Sequence, residues 1–392
     1  MFHDDRRNNI FSLIMLFAAV LLIVACGPKA RQPVGQLDTP GHHVFTGIKL
    51  LDQEKYADAQ RAFELALELD NKYSKAHTGI GLVKTYITPA DFKGAWGSLQ
   101  KGAKHANAND EILFGKVGYI RFYTQSKLEK KWLDLSVDEF DAAVKIDPKH
   151  SAAYYFMGMA YKQAYDFNAA GQMFAKVLEL KTDYVYQADR EWNFIQKVQR
   201  AMPGSVTGKQ IALVTRITRA DAAALFMEEL KIDVLYKKRT PKTFDTSFKD
   251  PEKAAQTAKQ GKVTAKDIAD HPLKADIEGI LEIGVRGLEN YPDGNYHPGE
   301  IITRAAYAMM LEDILIKVTG DNALATKFIG SSSPFPDVRA DLPYFNAVMV
   351  VTSRGIMQAK DLTTGEFAPV KPVAGVDALL IIRKVKEGLK FN

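Results

Sequence analysis

The sequence predicts an all-α protein made of two helical regions, and two observations predict it. Small and large residues recur at a fixed spacing between Gly41 and Met202. The tetrapeptide Ile-Thr-Arg-Ala occurs at 217–220 and again at 302–305, each time opening a largely apolar run. The 392 residues are enough for two or three domains. At 46% hydrophobic and 25% charged, the composition is that of ordinary globular protein. The net charge of +5 is spread along the chain, so no nucleic-acid partner is expected.

The N-terminus comes first. Met1–Asn9 is polar and holds Arg6 and Arg7, and Ile10–Val24 follows without a charge. A run of about 15 residues is short of the ~20 that span a bilayer, and with its basic flank it suits a secretory signal peptide. It ends in Ile23-Val24-Ala25-Cys26-Gly27, and Cys26 is the one cysteine of the chain, so no internal disulfide can form. This segment resembles the bacterial lipobox. The resemblance implies that residues 1–25 are removed, that the Cys26 thiol carries diacylglycerol and that the new amine is acylated. Two or three acyl chains give stable membrane attachment. It also implies a cell-envelope location, at the outer membrane in a diderm host, because Gly27 and not Asp follows the cysteine. Residues 26–41, rich in Pro and Gly, read as a lipidated tether.

In residues 42–202, Tyr154, Met157, Gly158 and Tyr161 are followed by Ala170, Phe174 and Val177. His43, Thr46, Gly47 and Leu50 are followed by Ala59, Phe63 and Ala66 at the same Gly-to-Ala spacing. Gly and Ala at these places let two helices approach closely, and Phe63 and Phe174 are expected in the core. The pattern resembles the tetratricopeptide repeat, a ~34-residue helix-turn-helix. Two further units fit with insertions. One carries Gly81, Ala95 and Leu99, interrupted near Thr88-Pro89; the other carries Gly118, Phe140, Ala143 and Pro148, interrupted around Ser126–Lys131. Tyr184–Ala201 reads as a closing helix. The resemblance implies a helical superhelix that binds a protein partner.

In residues 205–392 the pattern changes. Asp267-Ile268 and Asp276-Ile277 lead to Gly284-Val285, then to Tyr291-Pro292-Asp293-Gly294, then to Ile302-Thr303-Arg304-Ala305. Pro-Asp-Gly supplies a turn with positive φ at Gly294. Thr303 is a natural N-cap. Thr218 with Asp221 resembles a capping box opening a helix over Ala222–Tyr236. A third unit begins at Phe335-Pro336-Asp337, but Ala374-Gly375 stands where Thr-Arg is expected, with Asp377 in the acidic place. These units, about 205–236, 265–316 and 333–386, resemble S-layer homology modules in a pseudo-threefold helical domain. The resemblance implies contact with cell-wall glycopolymer or peptidoglycan. It implies Arg219 and Arg304 as binding candidates, with Asp267 and Asp337, and at most two competent pockets. A guanidinium suits this work because it forks onto a carboxylate. The basic Lys237–Lys266 stretch reads as a solvated loop.

No catalytic, metal or cofactor residues are expected. The eight His show no paired metal spacing, and no phosphate loop, EF-hand loop or Gly-x-Ser-x-Gly elbow is present. The sequence therefore reads as an envelope-anchored scaffold, not an enzyme: a membrane through Cys26, a protein through the repeats, a glycopolymer through the C-terminal modules. The alternative is an assembly or export-machinery lipoprotein in which both regions bind protein only.

Overall fold

The computed structural model describes residues 30–239 and 264–390. Cys26, the signal segment and most of the Lys237–Lys266 stretch lie outside the described residues. Among the described residues the secondary structure is helical, with no strand beyond two isolated bridges. The chain divides into two compact units at Trp192/Asn193, upstream of the 202/205 joint expected from sequence.

The first unit holds α1 (Pro40–Asp52), α2 (Tyr56–Leu69), α3 (Ser74–Tyr86), α4 (Phe92–His105), α5 (Asn109–Ser126), α6 (Trp132–Ile146), α7 (Ser151–Gln163) and α8 (Phe167–Leu180). Asp91 and Asp166 cap α4 and α8, accepting from the amides of Gly94 and Ala169. Successive helices pair as hairpins, and α1, α3, α5 and α7 also touch in series, so one layer runs through the unit. The Gly spacing has the steric cause expected. A Cβ on Gly47 would lie 2.6 Å from the Phe63 ring, and one on Gly158 2.7 Å from the Phe174 ring. Both rings are fully buried.

Arg121 pins this layer. Its guanidinium lies 4.3 Å from the Phe156 ring centroid and 5.2 Å from that of Tyr86, whose hydroxyl accepts from Nε at 3.2 Å. Asp52 lies 3.7 Å from Nη1 and accepts from the Tyr184 hydroxyl at 3.3 Å. Burial pushes the Asp52 carboxyl up, against the pull of Arg121 and Tyr184. The tether expected over 26–41 is, from residue 30 on, partly packed. Arg31 donates its amide to Glu68 O at 2.7 Å and forks onto Asp38 at 2.7 and 2.9 Å. His43 also pairs with Asp38, and α1 begins at Pro40.

The helix α9 (Val185–Ala201) carries the boundary between the units. The second unit continues with α10 (Val206–Ala212), α11 (Arg219–Ala224), a π segment (Leu225–Leu230), α12 (Ile232–Arg239), α13 (Lys274–Ile283), α14 (Arg304–Thr319), α15 (Phe345–Ser353) and α16 (Gly375–Lys390). The helix expected over Ala222–Tyr236 is thus three pieces, broken where Lys231 takes a left-handed conformation at φ 58°. The capping box forms: Thr218 Oγ1 accepts from the Asp221 amide, and Asp221 accepts from the Thr218 amide at 2.8 Å. Thr303 caps α14 and Gly294 has φ 83°.

Three helix pairs interlock cyclically. The first helix of each pair packs on the second helix of the preceding pair: α13 on α11, α15 on α14, and α10 on α16. At the centre the chain crosses itself three times. The Ile217 amide donates to Val373 O at 2.9 Å, Val373 to Ile302 O at 3.1 Å, and Ile302 to Ile217 O at 2.9 Å. This closed triangle of backbone bonds joins the three segments that precede α11, α14 and α16. Beside it, the Arg219, Arg304 and Gly375 amides donate to Glu300 O, Lys371 O and Val214 O at 2.8, 2.9 and 2.8 Å. Gly375 is therefore the third equivalent of the two arginines.

Candidate functional site

The four residues singled out in the C-terminal region come together in pairs, but their groups face inward. Arg219 is 5% exposed and Arg304 6%. Arg219 Nε donates to Tyr296 O at 2.8 Å, Nη1 to Gly287 O at 2.6 Å and Nη2 to Glu289 O at 2.7 Å. Its guanidinium stacks 4.7 Å from the Tyr296 ring. Arg304 repeats the arrangement one pair on. Nε donates to Phe367 O at 2.7 Å, Nη2 to Gln358 O at 2.6 Å, and the Phe367 ring lies 4.6 Å away.

The two Asp residues hold the other end of the same loops. Asp267 accepts from the amides of Tyr296 and His297, both at 2.8 Å. Asp337 accepts from Phe367 and Ala368 at 2.9 and 2.7 Å. His297 and Ala368 both have positive φ, at 54° and 59°, so each carboxylate secures a strained turn beside a buried aromatic. The sequence units group Asp267 with Arg304, whereas the fold joins Asp267 to Arg219 through Tyr296 and Asp337 to Arg304 through Phe367. Their geometry is that of a loop clasp, with the donors spent on carbonyls and not offered to a ligand. The first-turn amides of the two helices are also taken: Ala220 donates to Pro298 O and Ala305 to Pro369 O. These helix starts are therefore filled by the protein's own carbonyls.

Asp267 provides a pH test of this clasp. Partial desolvation raises its pKa, but the two backbone amides outweigh it and hold the carboxyl below the ordinary carboxylate range. A lowered native pKa gives stability that is present above the unfolded value of about 4 and lost as pH falls through the native value. Asp267→Asn is expected to destabilise the second unit by about 1 kcal/mol at neutral pH. The difference from wild type should shrink below about pH 4, as read by thermal melts across pH.

Each clasp borders a groove along the next helix. Beside Arg219 the groove of about 390 Å³ includes Glu289, Tyr291, Glu300 and the α14 residues Ala306, Met309 and Met310. Beside Arg304 the groove of about 310 Å³ includes Lys360, Lys197 and the α16 residues Asp377, Leu380, Ile381 and Lys384. The two are equivalent by register: Glu289 stands where Lys360 stands, and Ala306 where Asp377 stands. They differ in sign. Tyr291 donates to Glu300 at 2.7 Å in the first, which is acidic. In the second Asp377 pairs with Lys197 and, at 3.3 Å, with Lys360. Burial raises the Asp377 pKa, but the two ammonium groups outweigh it and hold it low. Lys384 is exposed on the same wall. Lys197, Lys360 and Lys384 were not singled out by sequence, because they come from three separate elements and match no motif.

The first unit has a larger cavity of about 990 Å³ between α4, α5 and the start of α6. Its floor is aromatic: the Trp96 ring centroid lies 5.6 Å from Phe122 and 6.2 Å from Tyr123. The sequence signal was the interruption at Ser126–Lys131, which forms one wall.

Among the described residues no group of three or more His, Cys, Asp or Glu is placed to hold a metal ion. None of the described helices is long and apolar enough to cross a membrane. No protein-family model matches the chain, and no curated protein matches it.

Proposed function

We propose that the chain is a lipid-anchored scaffold of the bacterial envelope. Acylated Cys26 holds it at a membrane, a first unit of tetratricopeptide type recruits a protein, and a second unit of S-layer-homology type touches an acidic wall glycopolymer. The Gly–Phe packing of the helix pairs supports the first likeness. The cyclic set of three pairs, with its Asp and Arg clasps, supports the second. The observation that carries the wall reading is the basic groove beside Arg304.

In this reading the arginines build the groove and the lysines meet the ligand. Lys360 and Lys384 offer ammonium groups to carboxylate substituents, as point charges without the geometric selectivity of a guanidinium fork. The acidic groove beside Arg219 repels the same polymer, so one groove of the unit is competent.

The test is sedimentation of the full chain with sacculi from its own host. The double variant Lys360→Gln/Lys384→Glu is expected to bind at least about tenfold more weakly, a loss of about 1.4 kcal/mol shared between two exposed charges. Its melting temperature should be unchanged. Equal pelleting of the folded double variant removes the groove assignment. A wild-type chain that never pellets favours the assembly-lipoprotein alternative, in which both units bind protein.

A further inference from the structure

The aromatic cavity of the first unit lies away from the layer formed by α1, α3, α5 and α7. Arg121 of α5 faces that layer through Asp52, Tyr86 and Phe156, whereas the cavity is bounded by α4 and α6 on the other side of α5. Its origin is local. Lys127 ends α5 in a left-handed conformation, and residues 128–131 intervene before α6 starts at Trp132. Phe92 and Trp96 in the first turns of α4 pack on Phe122 of α5 on one side and border the cavity on the other. Trp96 stays 37% exposed over a floor that includes Phe122, itself 4% exposed, and Leu128 is 64% exposed at the rim. Aromatic residues kept partly wet above a buried apolar floor mark contact surfaces. The rim is basic: Lys93, Lys130 and Lys131 border the cavity against a single carboxylate, Glu129.

We propose that this cavity docks an acidic, amphipathic segment of a partner protein. One aromatic or large aliphatic side chain of the segment seats on Trp96 and Phe122, and its carboxylates face Lys93, Lys130 and Lys131. The proposal rests on the protein-recruiting reading of the first unit and names its site and ligand chemistry. Charge complementarity decides the sign of the partner. Concavity favours a peptide over a bilayer, since a flat surface reaches Leu128 but not Phe122 at the floor.

The test pans a random library of short displayed peptides on the full chain, then measures isolated peptides by fluorescence anisotropy. Enriched sequences are expected to be net negative with an aromatic or Leu anchor. Trp96→Ala, Leu128→Asp and Lys130→Glu/Lys131→Glu should each weaken them at least tenfold. Leu128 is on an exposed connection, so its variant keeps the test readable if Trp96→Ala fails to fold. Raising salt from roughly 0.05 to 0.5 M should weaken binding through screening, and Lys360→Gln/Lys384→Glu should leave it unchanged. Peptides without net negative charge, or equal affinity for the cavity variants, overturn the proposal. A peptide bound elsewhere on the first unit overturns the cavity assignment and leaves protein recruitment standing; no enriched peptide removes both. Anionic phospholipid vesicles form the second arm. Binding to them through Leu128 and Lys130, with no peptide bound, makes the surface a membrane contact instead.

Discussion

Arg304→Ala is expected to destabilise the second unit strongly and not merely to weaken a ligand. The guanidinium holds the loop before α16 at two carbonyls, Phe367 O and Gln358 O, and covers the Phe367 ring. Alanine leaves both carbonyls without that donor and opens space against a fully buried ring. Losing a charge-assisted hydrogen bond costs about 1.5–3 kcal/mol, and two are lost here. In a unit of this size that lowers the melting temperature by roughly 10 °C or more. Arg304→Lys is expected to recover part of the loss, since one ammonium cannot reach both carbonyls in the planar geometry of the fork. Arg219→Ala should behave alike, with three carbonyls affected. Calorimetry of the full chain separates the outcomes. A clasp predicts a fall in the melting transition of the second unit. An undisturbed transition with lost polymer binding would restore the arginines as ligand residues.

Gly375→Ala is expected to be at least as damaging, although it adds one methyl group. Gly375 stands at the first position of α16, where Arg219 and Arg304 stand in the other pairs. A Cβ there would fall inside the van der Waals radius of Ile211 O, and close to Val214 O, which accepts from the Gly375 amide at 2.8 Å. The obstacle is backbone, so no rotamer change relieves it. The C-terminal end of α10 and the loop after it must retreat, and with them the contact between α10 and α16. A cost above about 3 kcal/mol is expected, the upper end for overpacking. Normal stability of Gly375→Ala by chemical denaturation would contradict the close approach.

The Gly375 case shows what sequence could and could not disclose. Its departure from Thr-Arg looked like a lost ligand site. The cause is a short first pair, whose α10 leads straight into the segment before Ile217, so backbone occupies the space that a guanidinium fills elsewhere. The helix starts at Thr218 and Thr303 were legible, because caps depend on neighbouring residues. The four residues were legible as recurrent positions, but the sequence units put Asp267 with Arg304, whereas the fold clasps Asp267 with Arg219 and Asp337 with Arg304 across unit boundaries. The direction of the guanidinium was not legible either. Whether it turns outward or onto carbonyls depends on a loop some seventy residues away in sequence, as Gly287 and Tyr296 are from Arg219. The basic groove joins Lys197, Lys360 and Lys384, and the aromatic cavity joins Phe92 with Leu135. Neither set has a sequence period. Phe63 and Phe174 were legible because a local Gly–Ala–Phe spacing encodes a helix hairpin.

The triangle of backbone bonds through Ile217, Ile302 and Val373 sets different rules of growth for the two units. Helix hairpins stacked in a row touch only their neighbours, so a row can gain or lose a member at an end and remain a row. A triangle has no end. Removing one pair leaves a donor on one side and an acceptor on the other with nothing between them, and adding a fourth breaks the register of the other three. The second unit is thus fixed at three pairs whatever happens to their surfaces. The Gly375 pair carries no arginine at its first helical position, yet it supplies Val373, without which the other two segments cannot close.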